Sequence, residues 1–247
     1  MRAIIVANWK MNPESFVAAK RLLEATKKAI EPYRALSVIV APPAVFVREL
    51  SKGRGRISFA AQSARPEPVG SCTGDMSLAQ MKDARCSYAL VGHAERRARG
   101  ESNEDTSAQL QAALTLGLSP ILCIGERERS ADGRHFAYVK EQLRAAFAGV
   151  KAPSIKKLMI AYEPVWAIGA AKPMTPRDMH EMSIFVRKTL VELLGATAMD
   201  TRILYGGAID ATTARPMLED GDVHGLLVGR ASVDATAFKG LITAIGS

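Results

Sequence analysis

A carboxylate follows directly after a short apolar segment of the chain. Residues 158–162 are typical of a buried strand, and Glu163 comes immediately after them. Pro164 ends the strand, and the small residues 169–171 lead to a helix start at Thr175 and Pro176. A carboxylate held rigidly beneath a segment that can move suits a general base that removes a carbon-bound proton. A lone glutamate is more often an ordinary strand-end carboxylate, so its neighbours decide between the two interpretations.

The segment before Glu163 is one of eight short apolar runs. They alternate with longer segments of helical period, and they cover residues 3–7, 38–41, 57–61, 88–91, 120–124, 158–162, 201–205 and 226–228. A doubly wound sheet usually has fewer strands and a glycine-rich first turn, whereas Asn8, Trp9 and Lys10 follow the first run here. We therefore predict the α/β class, with a single (β/α)8 TIM barrel and one domain over residues 1–247.

Composition, cysteine content and net charge indicate which kind of protein this is and which partners suit it. The chain has 48% hydrophobic and 23% charged residues, with no linker, and this favours one domain with a sizeable core. No run reaches transmembrane length, so we expect a cytoplasmic protein without a membrane partner. The three widely spaced cysteines predict reduced thiols, with neither a disulfide framework nor a metal site. The net charge of +8 suits attraction of a small anion better than nucleic-acid binding, because no aromatic residues lie among the basic ones.

Polar side chains and glycines follow several of the predicted strands. Catalytic groups of such barrels lie at the carboxyl ends of the strands, and the candidates there are Asn8, Lys10, His93, Glu95, Glu163, Gly206, Gly207 and Gly229. Each alone has an ordinary explanation as a surface lysine, a strand-end histidine or a turn glycine. Together they provide a cation, an imidazole, a carboxylate and bare backbone that can approach a phosphate. This set suits deprotonation next to a carbonyl on a small phosphorylated substrate.

Five segments in this order and spacing make the chain resemble the triosephosphate isomerase family over essentially its full length. They are residues 8–12, 91–97, 123–126, 162–169 and 205–207. The resemblance implies that Glu163 moves a proton between C1 and C2 of dihydroxyacetone phosphate and D-glyceraldehyde 3-phosphate. It implies that His93 polarises the carbonyl, that Lys10 contributes positive charge, and that Asn8 helps to hold the substrate.

The same resemblance implies roles for the surroundings of these groups. Glu95 would orient Lys10, and Tyr205 and Trp166 would support the site. The amides of Gly169, Gly207 and Gly229 would bind phosphate. No cofactor and no metal are implied.

Several positions depart from the family pattern. Ala94 stands where the family has serine after the histidine, Ala208 where it has serine after Gly207, and Arg230 where it has a second glycine after the last strand. Residues 170–174 replace a hinge richer in glycine and threonine, and Pro173 fixes its φ. These changes leave the acid, base and cation in place. They alter the binding end for phosphate, where we count Ala208 and Arg230 among the substrate-binding candidates.

The loop of residues 70–75 resembles the family's protruding loop, which inserts into a neighbouring subunit. The resemblance implies a homodimer in which Thr73 and Asp75 meet the partner's Asn8 and the partner's Arg96. Cys72 stands where the family commonly has a large aromatic residue. Because such aromatic anchors carry much of the energy of an interface, we expect the dimer to dissociate more readily than is usual.

Two other functions remain open from the sequence. One is isomerisation of a related sugar phosphate, such as a tetrulose phosphate, with Ala208 and Arg230 reshaping the phosphate end. The other is a catalytically silent barrel kept as a binding protein, which would be expected to lose Glu163, His93 or Lys10. All three are present.

Overall fold

The computed structural model describes residues 3–150, 152–168 and 173–246. Eight parallel strands form a closed barrel in chain order. They are β1 (Ile4–Asn8), β2 (Ser37–Ala41), β3 (Ser58–Ala61), β4 (Tyr88–Val91), β5 (Ser119–Ile124), β6 (Met159–Tyr162), β7 (Arg202–Tyr205) and β8 (Gly225–Val228). The barrel closes where β1 pairs with β8, from Ile4 opposite Gly225 to Ala7 opposite Val228. The predicted (β/α)8 barrel is confirmed, and each predicted strand lies within one residue of the observed bounds at either end.

Helices connect the strands and cover the outside of the barrel. In the described part of the chain they are α1 (Phe16–Ile30), α2 (Ala44–Leu50), α3 (Leu78–Asp83), α4 (Ala94–Arg97), α5 (Asn103–Thr115), α6 (Arg134–Ala146), α7 (Pro176–Leu194), α8 (Ala214–Asp220) and α9 (Ala235–Gly246). Thr175 caps α7 by accepting a hydrogen bond from the N–H of Asp178, and Pro176 occupies the first helical position, as predicted. Ser102 and Asp105 form a capping box at the start of α5. None of the described helices is long and apolar enough to cross a membrane.

The side chains of the strands divide between two cores. One core fills the space between the barrel and the helices, and the other fills the barrel interior. The interior core contains Ile4 and Val6 of β1 and Met159 and Ala161 of β6. Because side chains alternate along a strand, the next residues of this inward row are Asn8 in β1 and Glu163 after β6. The strand period therefore places both polar groups above the interior, at the carboxyl ends of the strands.

Candidate active site

Glu163 lies at the mouth of the barrel with only 3% of its surface exposed. Its backbone N–H donates to the carbonyl of Ile124 at 2.7 Å, which continues the pairing of β5 with β6. One carboxylate oxygen, Oε1, lies 3.1 Å from Nε2 of His93. The other, Oε2, accepts a hydrogen bond of 3.1 Å from the backbone N–H of Ala94. The structure thus brings the predicted base and the predicted imidazole into direct contact.

The ring of His93 is oriented by the backbone that follows it. Nδ1 accepts a hydrogen bond of 3.2 Å from the N–H of Glu95, in the first turn of α4. An accepting Nδ1 carries no proton, so the ring proton of the neutral form lies on Nε2, which faces Glu163. Burial lowers the pKa of His93, but the charge of Glu163 and its hydrogen bond raise it by more, so the net pKa lies above its ordinary value.

Lys10 lies beside this pair in a left-handed backbone conformation, with φ of 52°. Its N–H donates to Oδ1 of Asn8 at 3.0 Å, and Gln62 donates to its carbonyl at 2.7 Å. A non-glycine residue at positive φ costs energy and is kept only where the surroundings impose it. The hydrogen bonds from Gln62 to Lys10 and to Ala41 supply such restraint. Neither the role of Gln62 nor this strain could be read from the sequence.

The ammonium group of Lys10 meets Glu95. Nζ lies 2.5 Å from Oε1, and both side chains are partly exposed. Partial burial raises the pKa of Glu95, but the hydrogen bond and charge of Lys10 lower it by more, so the net pKa lies below its ordinary value. Asn8 completes the group, since its Nδ2 lies 3.3 Å from Nε2 of His93.

Glu126 organises the exit of β6 and was not among the predicted site residues. It is only 1% exposed. Its carboxylate accepts hydrogen bonds of 2.8 Å from the hydroxyl of Tyr162 and from Nε1 of Trp166. Burial and the charge of Glu126 raise the pKa of Tyr162. Tyr162 and Trp166 flank Glu163, so this buried carboxylate fixes the backbone on both sides of the predicted base. The sequence signal was a charged residue two positions after the apolar strand β5.

Two glycines leave room for Glu163. A Cβ atom added to Gly206 would lie 2.8 Å from Cγ of Glu163, and one added to Gly125 would overlap the carbonyl oxygen of Glu163. Gly207 is in a similar position, because a Cβ there would overlap the hydroxyl of Tyr205. Gly206, which directly follows β7, was predicted to approach a ligand. The structure adds that it is also a spacer for the base.

The predicted phosphate end lies at the loops after β7 and β8. Gly207, Ala208 and Gly229 are partly exposed there, and Arg230 is exposed. Ser232 fixes the second loop by donating from Oγ to the carbonyl of Asn8 at 3.2 Å. Gly169 and the neighbouring residues 170–172 lie outside the described residues.

A cavity of about 50 Å³ lies behind the base. Its lining includes Ala94, Arg97, Cys123 and Glu163. Burial and the charge of Glu163 raise the pKa of the Cys123 thiol well above its ordinary value. The small side chain of Ala94 leaves this space open next to the carboxylate.

The remaining predicted residues lie around the site or away from it. Burial raises the pKa of Tyr205 to about 12. Thr73 and Asp75 lie on an exposed loop, where Asp75 is 3.8 Å from Arg65. Arg96 donates from Nε to Glu101 at 3.2 Å. Within one chain these three residues do not meet, so their predicted role in a dimer stays a prediction. Among the described residues no group of three or more histidines, cysteines or acids could hold a metal ion.

The chain is similar to known proteins over nearly its full length. A model of the family described as triosephosphate isomerase matches residues 3–245. The chain is 35% identical to the triosephosphate isomerase of Aquifex aeolicus, over 98% of this chain and 99% of that protein. It is 38% identical to the triosephosphate isomerase of Lawsonia intracellularis, over 99% and 98% of the two chains. It is 40% identical to that of Coprinopsis cinerea, over 92% and 91%.

Proposed function

The chain belongs to the triosephosphate isomerase family, and from this premise we propose that it interconverts dihydroxyacetone phosphate and D-glyceraldehyde 3-phosphate with Glu163 as the base. The observation that carries the proposal is the contact of 3.1 Å between the Glu163 carboxylate and Nε2 of His93. A base and a hydrogen-bond donor side by side can act on adjacent carbon and oxygen atoms of one small substrate. The enzyme is thus an aldose–ketose isomerase that needs no cofactor for this step.

The positions of the two groups support the following proton transfers. The Glu163 carboxylate takes a proton from C1 of dihydroxyacetone phosphate, and the electron pair of the broken C–H bond moves towards the carbonyl oxygen. The Nε2 proton of His93 faces Glu163 before substrate binds, and in the complex it hydrogen-bonds to that oxygen as negative charge develops. Glu163 then returns a proton to C2 of the enediolate, and protons are exchanged between its two oxygens through His93. Atoms and charge balance over the cycle.

The surrounding groups support this cycle electrostatically. Lys10 contributes positive charge next to the developing oxyanion, and Glu95 holds its ammonium group in place through the contact of 2.5 Å. Asn8 lies between His93 and Lys10, since its side chain approaches both the His93 ring and the backbone of Lys10. Because these charges are fixed before the substrate arrives, little reorganisation is needed in the transition state.

A coupled assay tests the proposal and the main alternative together. Purified protein is offered dihydroxyacetone phosphate, D-glyceraldehyde 3-phosphate and a tetrulose phosphate at matched concentrations. We expect kcat/KM to be highest for the two triose phosphates. A higher value for the tetrulose phosphate would identify the related isomerase instead, and activity on none of them would indicate a silent barrel.

We further propose a cytoplasmic, glycolytic enzyme that works as a homodimer. The three cysteines are free in the structure, and free thiols suit a reducing compartment. Large apolar side chains are exposed near the loop of residues 70–75 and elsewhere: Met11 is 93% exposed, Val45 78% and Val69 84%. Exposed apolar surface of this kind suits a protein partner. A second copy of the chain is the partner that the resemblance implies.

The alkylation rate of the Cys72 thiol can be used to follow dissociation of the proposed dimer. Cys86 and Cys123 are buried, and burial raises the pKa of Cys86 to about 12, so neither should react with iodoacetamide at pH 8 in the folded protein. Cys72 is partly exposed, but it would be covered by the partner in a dimer. We expect its alkylation rate to rise, and specific activity to fall, as the protein is diluted into the nanomolar range.

Sedimentation at the same concentrations provides the independent measurement. Alkylation of Cys86 and Cys123 should stay absent at every dilution and thereby controls for unfolding. A dimer that persists to the lowest concentration with constant specific activity would contradict the expected weakening at Cys72.

A further inference from the structure

Arg230 lies at the same edge of the mouth as Lys10 and Asn8. It follows Gly229 directly after β8 and begins the short 3₁₀ segment Arg230–Val233. Ser232 of this segment donates to the carbonyl of Asn8 at 3.2 Å. A Cβ added to Gly229 would lie 3.3 Å from Cε of Lys10, so the backbone of this loop packs against the lysine side chain. The backbone that carries Arg230 is therefore held beside the predicted site.

The guanidinium of Arg230 has no charged partner within the described part of the chain. Its side chain is exposed and forms no hydrogen bond or ion pair with any residue that the structure describes. Lys10, by contrast, is paired with Glu95. An arginine without a carboxylate partner keeps all of its N–H donors for a ligand, and their planar arrangement matches two oxygens of a phosphate.

The neighbouring loop has no side-chain donor at position 208. Ala208 follows Gly207 after β7 and has no hydroxyl group. The loops after strands 7 and 8 are the usual position of a phosphate group in such barrels. An anion at these loops would find backbone N–H groups, Lys10 nearby, and the guanidinium of Arg230.

We infer that the guanidinium of Arg230 binds the phosphate group of the substrate directly. The inference rests on the proposed function, because it concerns the same site. It assigns a side-chain ligand to a phosphate end that would otherwise depend on backbone N–H groups. The contribution of Arg230 should be confined to phosphorylated ligands, because an unphosphorylated triose has no group to pair with the guanidinium.

The test compares Arg230→Gln with a matched control. Arg202→Gln makes the same change at an exposed arginine in the first residue of β7, at the opposite end of the barrel. The affinities for inorganic phosphate and for 2-phosphoglycolate, a phosphorylated carboxylate, are measured by calorimetry. The values of kcat/KM are measured for D-glyceraldehyde 3-phosphate and for unphosphorylated D-glyceraldehyde.

We expect Arg230→Gln to weaken binding of both anions by about tenfold, as for loss of a hydrogen bond to a charged group. The kcat/KM for the phosphorylated triose should fall by a similar factor, and the value for unphosphorylated D-glyceraldehyde should stay the same. Arg230→Lys keeps the charge, so its loss should be smaller. Arg202→Gln should leave all four measurements unchanged.

Unchanged anion affinity in Arg230→Gln would overturn the inference, and so would an equal loss in Arg202→Gln, which would indicate a general effect of net charge. An equal loss of activity on the phosphorylated and unphosphorylated trioses would overturn it too. Failure of the proposed function is distinguishable, because the unaltered protein would then not isomerise the triose phosphates. The binding of inorganic phosphate would still report on Arg230 in that case.

Discussion

Glu163→Gln should lower kcat by about 10²- to 10⁴-fold, the contribution typical of a positioned base. Glutamine keeps the size of the side chain and can still accept a hydrogen bond from Ala94, but it cannot take a proton. Binding of 2-phosphoglycolate should change by less than about tenfold, because the phosphate end is untouched. Steady-state kinetics and calorimetry measure the two quantities separately.

A second measurement on the same variant examines the pairing with His93. Because the charge of Glu163 is what raises the pKa of His93 against the effect of burial, that pKa should fall in Glu163→Gln when the ring is titrated by NMR. Glu163→Asp serves as the comparison, since it keeps the charge and shortens the reach. Near-normal turnover in Glu163→Gln would rule out the proposed mechanism.

Gly206→Ala should reduce kcat by about 100-fold, because a displacement of about 1 Å from the productive geometry has effects of this size. The new methyl group would lie 2.8 Å from Cγ of Glu163 and 3.5 Å from Cβ of Leu227. Leu227 belongs to the packed barrel interior, so the side chain of Glu163 must move instead. KM should change less than kcat, since the phosphate end does not depend on this position.

The matched control for this variant is Gly53→Ala. A Cβ there would meet nothing within 4 Å. Thermal unfolding of both variants should show that each remains folded. If Gly206→Ala retained full kcat, the carboxylate would have another route to its working position, and the spacer role of Gly206 would be wrong.

Much of this architecture was predictable because it depends on local patterns. The alternation of apolar runs and helical periods defines the eight strands, and Thr175 with Pro176 defines the start of α7. The period of two along β1 and β6 then places Asn8 and Glu163 on the same side of the barrel wall. Once the barrel is recognised, these residues must come together.

The unpredicted features depend on contacts between distant segments. Gln62 restrains Lys10 across 52 positions of sequence, and Trp166 reaches Glu126 across 40. The separation of Gly206 from Glu163 depends on how closely two neighbouring strands exit the barrel. No local pattern carries such information, because each contact arises only after the strands on either side of it have come together. The sequence could identify these residues as polar or small, but not as partners.

The closure of β1 against β8 also determines when the site can exist. The hydrogen bond from Ser232 to Asn8 spans 224 positions of sequence, and contacts between residues so far apart in sequence slow folding. A growing chain that lacks β8 leaves both β1 and β7 with unpaired edges, which are prone to association with other chains. Because Lys10 packs against Gly229, the cation and the phosphate end are assembled only at this last step. During synthesis, activity should therefore be acquired in a single late event, and partially made chains should depend on chaperones for protection of their edges.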